Sequence, residues 1–503
     1  MKSELSVIPH KYKKYYNYLK SIKRIDIFFI IIFLTISIIA PILYITSIAL
    51  WCDEAAYIVI GEQIKNGSVM YRDIADVKTP GTYYIAALII TIAGKSMIAP
   101  RIFTAIIHAG SALLVFFLGV KIKNKKVGMI ASILFLIAVY IPIFQSFYYL
   151  AEPIAVFFTI LSVLFFLKEN FRNKFLSGIF LGIAVLFKQT TLLLFGIFFL
   201  YYILRLRFDN NRTKEYIVNS IRILTVISIG IGIPLVLIFL YFLIMGAAND
   251  IVYYTILFLS DYKIDWKLTQ LIHGFYSYLP IWILFFSMTL ITIYNFIKRK
   301  SLDDKNLFLV LWALILLYPA IVIVFSQRVL FAVPPISLLS AILLYKIFKN
   351  LKNKQMSLQI KSQIIISILI TTCIAAGYNI TIYSYSVENI NIKNQMKALN
   401  EIEQYVDGDI YIFPADWALY YFSNLTPGVK YMGSVFSEEM ANQVINGFES
   451  NNIDYIVGRR EYITEIEEKK IKASNPNHII YNYIQTHYDI LTTTNSSIIY
   501  RLK

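Results

Sequence analysis

The stretch LWCDEAAYIVIGEQIKNG, residues 50–67, follows the first long apolar run of the chain, residues 27–50. A run of about 20 apolar residues is long enough to cross the hydrocarbon core of a bilayer. Two adjacent carboxylates, Asp53 and Glu54, therefore stand where the chain leaves a membrane, and a half-apolar helical pattern follows them. Charges at the end of a span are costly if they face lipid, so this pair is predicted to face a protein cavity or water.

The composition is that of a membrane protein. Of the 503 residues, 58% are hydrophobic and 16% are charged, which is more apolar surface than a soluble domain can bury. The formal net charge is +16, but most Lys and Arg residues lie in short loops between apolar runs, where they set topology rather than bind nucleic acid. The two cysteines and five scattered histidines have no spacing typical of a disulfide framework or a zinc site, so neither a metal nor another cofactor is expected.

The apolar runs and the basic loops together predict eleven membrane spans with a cytoplasmic N-terminus. For every basic loop to lie in the cytoplasm, residues 82–94 must not cross, whereas residues 175–187 and 190–204 must form two short crossings with Lys188 at the outer tip. Such short helices reach only about 20 Å, less than a hydrocarbon core of about 30 Å. The full-length candidates are 27–50, 102–120, 127–147, 148–167, 221–245, 278–297, 306–325, 329–348 and 362–383.

The last part of the chain has a different composition. Residues 384–503 are more polar, with strand-like runs DIYIF, DYIVG and SSIIYRL between helical stretches at 393–406 and 437–450. An odd number of spans places this tail outside the cytoplasm, and its length fits a small domain. The sequence therefore predicts a multi-pass cell-membrane protein with an all-α membrane domain, residues 1–383, and an extracytoplasmic α/β domain, residues 384–503.

Polar residues gather on the predicted outer face, and their types suit one reaction. A sugar donor linked to a lipid phosphate has its sugar outside the hydrocarbon and its phosphate at the boundary. An exposed carboxylate, with a pKa of about 4, is ionised and can accept the proton of an acceptor hydroxyl, while Lys and Arg bind the phosphate and stabilise its growing charge. The outer-face candidates are Asp53, Glu54, Arg72, Asp73, Asp76, Lys78, Arg101, Glu152, Lys188, Gln189 and Arg328.

The order of several motifs resembles that of GT-C-fold glycosyltransferases that use lipid-linked sugars, in the branch of protein O-mannosyltransferases and aminoarabinose transferases (glycosyltransferase families 39 and 83). The similarity is best over residues 25–205 and looser beyond them. The matching stretches are DE (53–54), AAYIVIGEQIKNGSVMYRD (55–73), VKTPGTYYIAALIITIAG (77–94), APRIF (99–103), YYLAEPIAVFF (148–158), GIAVLFKQTTLLL (182–194) and QRVLFAVPP (327–335).

This resemblance implies an all-α GT-C domain of about eleven transmembrane helices, with residues 55–67 and 82–94 as juxtamembrane helices. It also implies the transfer of a hexose or pentose from a polyprenyl (dolichyl or undecaprenyl) phosphate to an acceptor hydroxyl on the extracytoplasmic face, with inversion at the sugar carbon. Asp53 matches the acid that activates the acceptor as general base, and Glu54 matches its neighbour, which shapes the site. Glu152 falls where the family carries a second external acid, usually Asp.

The same resemblance implies a phosphate-binding role for four basic residues. Lys78 matches the lysine of a KPP-like motif, which reads KTPG here, and is implied to contact the donor phosphate. Arg101, Lys188 and Arg328 are further candidates for the donor phosphate site. The expected partners are thus the bilayer, the lipid-linked donor and an acceptor that is a lipid, a glycan or a protein.

Other functions remain open at this stage. A polytopic transporter or lipid-linked-sugar flippase is the main alternative, although transporters tend to place ionisable residues near the midplane and often in repeated halves. Here the acids cluster at one face, and no internal repeat is evident. A membrane scaffold whose tail binds a partner is a further alternative. An oligosaccharyltransferase with a lipid diphosphate donor would call for a metal and a WWD-like motif, which ADWAL at 415–419 matches poorly.

Overall fold

The computed structural model describes residues 24–45, 52–206, 214–257, 275–298, 304–323, 326–351, 379, 392–414, 416–423, 425–433, 435, 437–471 and 474–503. The helices are α1 (Arg24–Ile45), α2 (Cys52–Lys65), α3 (Gly81–Ala93), α4 (Ile98–Ile122), α5 (Lys125–Val139), α6 (Ala151–Phe166), α7 (Phe171–Val185), α8 (Leu193–Leu206), α9 (Lys214–Ile244), α10 (Ala248–Thr255), α11 (Leu279–Ile297), α12 (Asp304–Ile323), α13 (Val333–Leu351), α14 (Ile392–Ile402), α15 (Trp417–Phe422), α16 (Glu438–Asn451), α17 (Arg460–Glu467) and α18 (Asn477–His487). The strands are β1 (Asp409–Phe413), β2 (Thr426–Pro427), β3 (Tyr455–Arg459), β4 (Tyr488–Thr493) and β5 (Ser497–Leu502).

Within the described residues, helices occupy ten of the eleven predicted spans, namely α1, α4 to α9 and α11 to α13. Apart from Asn379, the predicted span 362–383 lies outside the described residues. Among the helical segments that the structure describes, six are long and apolar enough to cross a membrane by length and composition, whereas α5, α6 and α7 have only 15 or 16 residues. The predicted all-α membrane architecture with a small α/β tail is confirmed, while the count of eleven crossings and the orientation of the termini stay predictions.

Glycines let neighbouring membrane helices approach closely. A Cβ on Gly119 of α4 would lie 2.5 Å from the Cα of Gly128 in α5, and a Cβ on Gly178 of α7 would collide with the backbone of α9 at Ile227. Small residues at helix interfaces maximise van der Waals contact where lipid removes the hydrophobic driving force. The short helix α7 is therefore fixed against the long helix α9.

Helices α2 and α3 lie side by side in the first loop region, which we define as residues 52–97. A Cβ on Gly61 would lie 2.7 Å from Ala86 Cβ, so these two helices are also in close contact. The backbone N–H of Gly81, the first residue of α3, donates to the carbonyl of Leu186 at the end of α7 (2.8 Å). The prediction of helices at 55–67 and 82–94 is confirmed, and the loop between them carries the KTPG motif.

The tail domain, residues 392–503, is built on a five-stranded sheet of order β2-β1-β3-β5-β4. Strands β1, β2 and β3 are parallel, and β5 runs antiparallel to both β3 and β4. Three of these strands and helices α14 and α16 lie where the sequence predicts them. The remaining elements, β2, β4, α15, α17 and α18, are additional to the prediction.

The tail domain packs directly on the first loop region. The N–H of Ala75 donates to the carbonyl of Lys430 (2.7 Å). Outside this region, the ring of Tyr431 stacks on Tyr254 of α10 with centroids 6.0 Å apart. Helix α15 packs on α2, and the ammonium of Lys95 lies over the ring of Tyr421 (5.6 Å). The tail thus contacts the first loop region at Ala75, at α2 and at Lys95.

Candidate active site

Asp53 and Lys78 form an ion pair at a partly open position. Asp53 lies in the first turn of α2, where the helix dipole favours a carboxylate, and Lys78 lies in the loop just before α3. Lys78 Nζ is 2.9 Å from Asp53 Oδ1, with side-chain exposures of 23% and 34%. Lys78 Nζ is also 3.7 Å from Asp76 Oδ2 and 4.9 Å from the ring centre of Tyr57. Both side chains are thus partly exposed to solvent.

The electrostatic surroundings keep Asp53 ionised. Burial opposes ionisation, but the charge and hydrogen bond of Lys78, together with the positive charges of Lys188 and Arg328, outweigh it and lower the pKa of Asp53 below its ordinary value. Burial likewise opposes the charge of Lys78, yet Asp53 and other neighbours raise its pKa well above the usual range. At neutral pH the site therefore holds a carboxylate beside an ammonium.

The loop that carries Lys78 is held by hydrogen bonds from buried groups. Tyr71, whose φ of 67° lies in the left-handed region, donates from its hydroxyl to the carbonyl of Lys78 (2.6 Å). Asp76 accepts from the N–H of Val77 (2.6 Å) and from the hydroxyl of Tyr83 (2.5 Å). These bonds fix the backbone of the motif and leave the ammonium as its adjustable part.

Glu152 and Lys188 form a second, more buried ion pair. Glu152 lies in the first turn of α6, and Lys188 lies between α7 and the 3-10 turn Gln189–Leu192. Lys188 Nζ is 2.7 Å from Glu152 Oε1, and the carboxylate side chain is 2% exposed. Burial raises the pKa of Tyr57, and the charges of Asp53 and Glu152 also raise it. The charge of Lys78 opposes this rise.

Glu54 and Arg101 form a third ion pair, which is sealed from solvent. Arg101 Nε donates to Glu54 Oε1 (2.9 Å) and Arg101 Nη2 to Glu54 Oε2 (2.6 Å), and both side chains are 0% exposed. The N–H of Tyr149 donates to the same carboxylate (3.0 Å), while Arg101 Nη1 donates to the carbonyl of Ile45 (3.1 Å). The pair thus joins α2, α4 and the segment before α6.

The structure brings six of the seven predicted site residues into three ion pairs, and Arg328 acts on Asp53 through its charge from the 3-10 turn Ser326–Phe331. The catalytic and phosphate-binding roles of these seven residues stay predictions. Among the other outer-face candidates, Arg72 and Asp73 form an exposed pair (2.8 Å). Gln189 Nε2 donates to the carbonyl of Thr255 (3.2 Å).

The sequence reasoning did not single out Tyr57, Tyr71 or Tyr83. With 38 tyrosines in the chain, nothing in the pattern marks these three as neighbours of the motif. Their only shared signal is that they flank or face the KTPG segment. In the described part of the chain, no group of three or more His, Cys, Asp or Glu side chains is placed to hold a metal ion.

Comparison with solved structures identifies the fold as that of the GT-C glycosyltransferases. The chain is similar to ArnT from Cupriavidus metallidurans bound to undecaprenyl phosphate (TM-score 0.64, 10% identity, 94% of this chain and 97% of that one). It is also similar to the oligosaccharyltransferase of Archaeoglobus fulgidus in the apo form (TM-score 0.59, 13% identity, 95% of this chain and 74% of that one).

Part of the chain also matches a protein-family model. Residues 75–246 match the model of the dolichyl-phosphate-mannose-protein mannosyltransferases. This segment runs from the loop that carries Lys78 to the end of α9, so it includes Arg101, Glu152 and Lys188. No curated protein matches the chain. The resemblance inferred from the sequence motifs is confirmed.

Proposed function

We propose that this protein is a membrane glycosyltransferase that moves a sugar from a polyprenyl phosphate to an acceptor hydroxyl on the extracytoplasmic face. The observation that carries the proposal is the Asp53–Lys78 pair, an ionised carboxylate and an ammonium 2.9 Å apart and both partly exposed. The match of residues 75–246 to a family of lipid-phosphate sugar transferases supports it. The likeness to a structure bound to undecaprenyl phosphate supports the class of donor.

In the proposed reaction, Asp53 accepts the proton of the acceptor hydroxyl as that oxygen attacks the anomeric carbon. The new bond forms on the face opposite the phosphate, so the sugar carbon is inverted. The bond between this carbon and the phosphate oxygen breaks, and the phosphate leaves with the electron pair and needs no proton. Asp53 can accept this proton because it is ionised at neutral pH, as a carboxylate paired with Lys78 is expected to be.

The cations would stabilise the charge that grows on the leaving phosphate. Lys78 is the cation next to the proposed base, since its ammonium lies 2.9 Å from Asp53 and 3.7 Å from Asp76. We infer that Lys78 exchanges part of its contact with Asp53 for the donor phosphate, which frees the carboxylate for the acceptor. Lys188 and Arg328 would add positive charge on the same side.

The two buried ion pairs, Glu152–Lys188 and Glu54–Arg101, would position the residues of this site. Glu152 is 2% exposed and paired with Lys188, so we infer that it holds this ammonium toward the donor. Glu54 and Arg101 use their polar atoms on each other and on the backbone, so we infer that they fix the start of α2 and with it Asp53. In this proposal Asp53 is the general base, whereas its neighbour Glu54 positions it.

The test is sugar transfer by the purified protein in nanodiscs, with radiolabelled polyprenyl-phosphate sugars and a membrane extract as the source of acceptor. A general base contributes about 10²- to 10⁴-fold, so Asp53→Asn should lose at least about a hundredfold in rate. Asp73→Asn is the matched control, because Asp73 is similarly exposed and also ion-paired. It should keep normal transfer.

Both variants should elute as folded protein in normal amount. Normal transfer by Asp53→Asn would overturn the proposed mechanism. Absence of transfer with every donor, together with donor movement across sealed vesicles, would instead support the flippase. Repeating the assay with a chelator tests the expectation that no metal is needed.

A further inference from the structure

The tail domain contains a cavity of ≈ 680 Å³ that none of the proposed chemistry uses. Its volume lies within the range of small-molecule sites, about 300–1,000 Å³. Residues after β1, including Asp416 and Leu419, line one side of it, and residues at the end of β3, Arg459 and Arg460, line another. The cavity therefore lies at the carboxyl ends of two neighbouring parallel strands.

The strand order makes this location significant. In the order β2-β1-β3-β5-β4, the chain leaves β1 toward β2 on one side and leaves β3 toward β5 and β4 on the other. The connections from two adjacent parallel strands thus diverge, which opens a crevice between them. In open α/β sheets, ligands bind in the crevice at such a topological switch point.

The lining of the cavity combines hydrogen-bond donors and acceptors with little net charge. Three basic and four acidic side chains are among the described residues that line it. Arg459 Nη1 and Asp416 Oδ2 are 3.9 Å apart, so their pairing is loose, and each can accept a new partner. Asn495 adds an amide, and Leu419 adds an apolar surface.

We propose that this cavity binds a neutral, hydroxyl-rich ligand, that is, a segment of a glycan. A sugar hydroxyl both donates and accepts hydrogen bonds, so it pairs with guanidinium and carboxylate groups alike. An anion would be repelled by the acidic side chains and a cation by the basic ones. The apolar side of the lining suits the C–H face of a sugar ring.

One helix connects the cavity with the candidate site around Asp53. Ala418 and Leu419 of α15 line the cavity, and α15 also packs on α2, the helix that begins beside Asp53. A glycan held there would be connected to the first loop region through one short helix. The binding itself does not depend on the proposed transfer reaction and is measured separately from it.

The experiment is saturation-transfer NMR on the full chain in nanodiscs, with cellotetraose, mannotetraose and chitotetraose as neutral probes and digalacturonate and inorganic phosphate as anionic ones. We expect saturation transfer from at least one neutral probe. Arg459→Ala and Glu461→Ala, both at exposed side chains that line the cavity, should each weaken its binding at least tenfold. Glu439→Ala is the control, because this exposed residue lies on α16 away from the cavity.

Three results would overturn the proposal. They are the lack of saturation transfer from every neutral probe at millimolar concentration, binding that both cavity variants leave unchanged, and a preference of the cavity for the anionic probes. Because the readout is binding, a failure of sugar transfer in the assay above would leave this test intact. A failure of glycan binding would likewise leave the proposed reaction standing.

Discussion

Removal of one member of the Glu54–Arg101 pair is expected to lower the stability of the folded protein and not only its catalytic activity. Both side chains are 0% exposed, and the carboxylate accepts three hydrogen bonds, two from Arg101 and one from Tyr149. Glu54→Gln keeps the size and shape of the side chain. It leaves the guanidinium buried without a counter-charge.

The expected magnitude follows from that burial. Breaking a buried ion pair by removing one partner costs about 3–5 kcal/mol, which is roughly a hundredfold to several-thousandfold in the ratio of folded to unfolded protein. Glu62 offers a matched control on the same helix, since its pair with Lys95 (2.8 Å) is 26–30% exposed. Glu62→Gln should cost no more than about 1 kcal/mol.

The assay is unfolding by SDS in mixed micelles, followed by tryptophan fluorescence, for wild type, Glu54→Gln, Arg101→Met and the double variant. The double variant should recover most of the loss, because it removes both buried charges. If Glu54→Gln were as stable as Glu62→Gln and yet inactive in sugar transfer, the structural interpretation would be refuted. Glu54 would then take part directly in the chemistry.

Three further outcomes test other parts of the structure. Tyr71→Phe removes the hydrogen bond to the Lys78 carbonyl, worth about 1 kcal/mol, so turnover at saturating donor should fall about fivefold without loss of folded protein; unchanged turnover would contradict a positioning role. Gly61→Ala puts a methyl group 2.9 Å from the backbone of α3 and should lower stability by about 1–3 kcal/mol. The control Gly196→Ala has nothing within 4 Å of the new methyl group and should raise stability slightly. Equal unfolding midpoints of the two variants in the SDS titration would contradict this prediction. Because the pKa of Asp53 is lowered, its carboxylate persists as pH falls, so the transfer rate should stay level from about pH 8 to about pH 5; an acidic fall centred near pH 6 would point to another base.

The helices of the membrane domain were predictable because the apolar runs locate candidate spans and the basic loops limit how many can lie between them. The short helices α7 and α8 were expected because two basic loops must lie on one side with Lys188 between them. Boundaries were less predictable. The expected span 127–147 ends as helix α5 at Val139, and a 3-10 turn at Pro142–Phe144 follows. Proline lacks an N–H, so Pro142 disfavours continuation of the helix.

The tail shows where local pattern gives too little information. Strand β4 begins at Tyr488, directly after helix α18 ends at His487, with no glycine or proline to mark the change. Glycine and proline are the strongest sequence signals of a boundary between elements, and without them strand β4 was not recognised. Strands β1, β3 and β5 were recognised because their β-branched and aromatic runs are flanked by polar residues.

The sequence singled out the residues that form the three ion pairs but not which of them pair with each other. Charges on the outer face identified Asp53, Lys78 and Arg101 from their position relative to the spans. Which carboxylate pairs with which cation depends on contacts 25 and 47 residues apart, and no local pattern encodes those. The structure adds that the guanidinium of Arg101 is bound to Glu54, while its role at the donor phosphate, which the resemblance implies, stays a prediction.

The contact between the tail and the first loop has a consequence for how such chains diverge. The carbonyl of Lys430 accepts from Ala75, two residues before the segment that begins VKTPG, and Tyr254 stacks on both Tyr431 and Tyr71. A tail taken from a relative would bring a surface shaped for a different loop. We therefore expect the sequences around Ala75 in the first loop region and around Lys430 in the tail to change together among relatives.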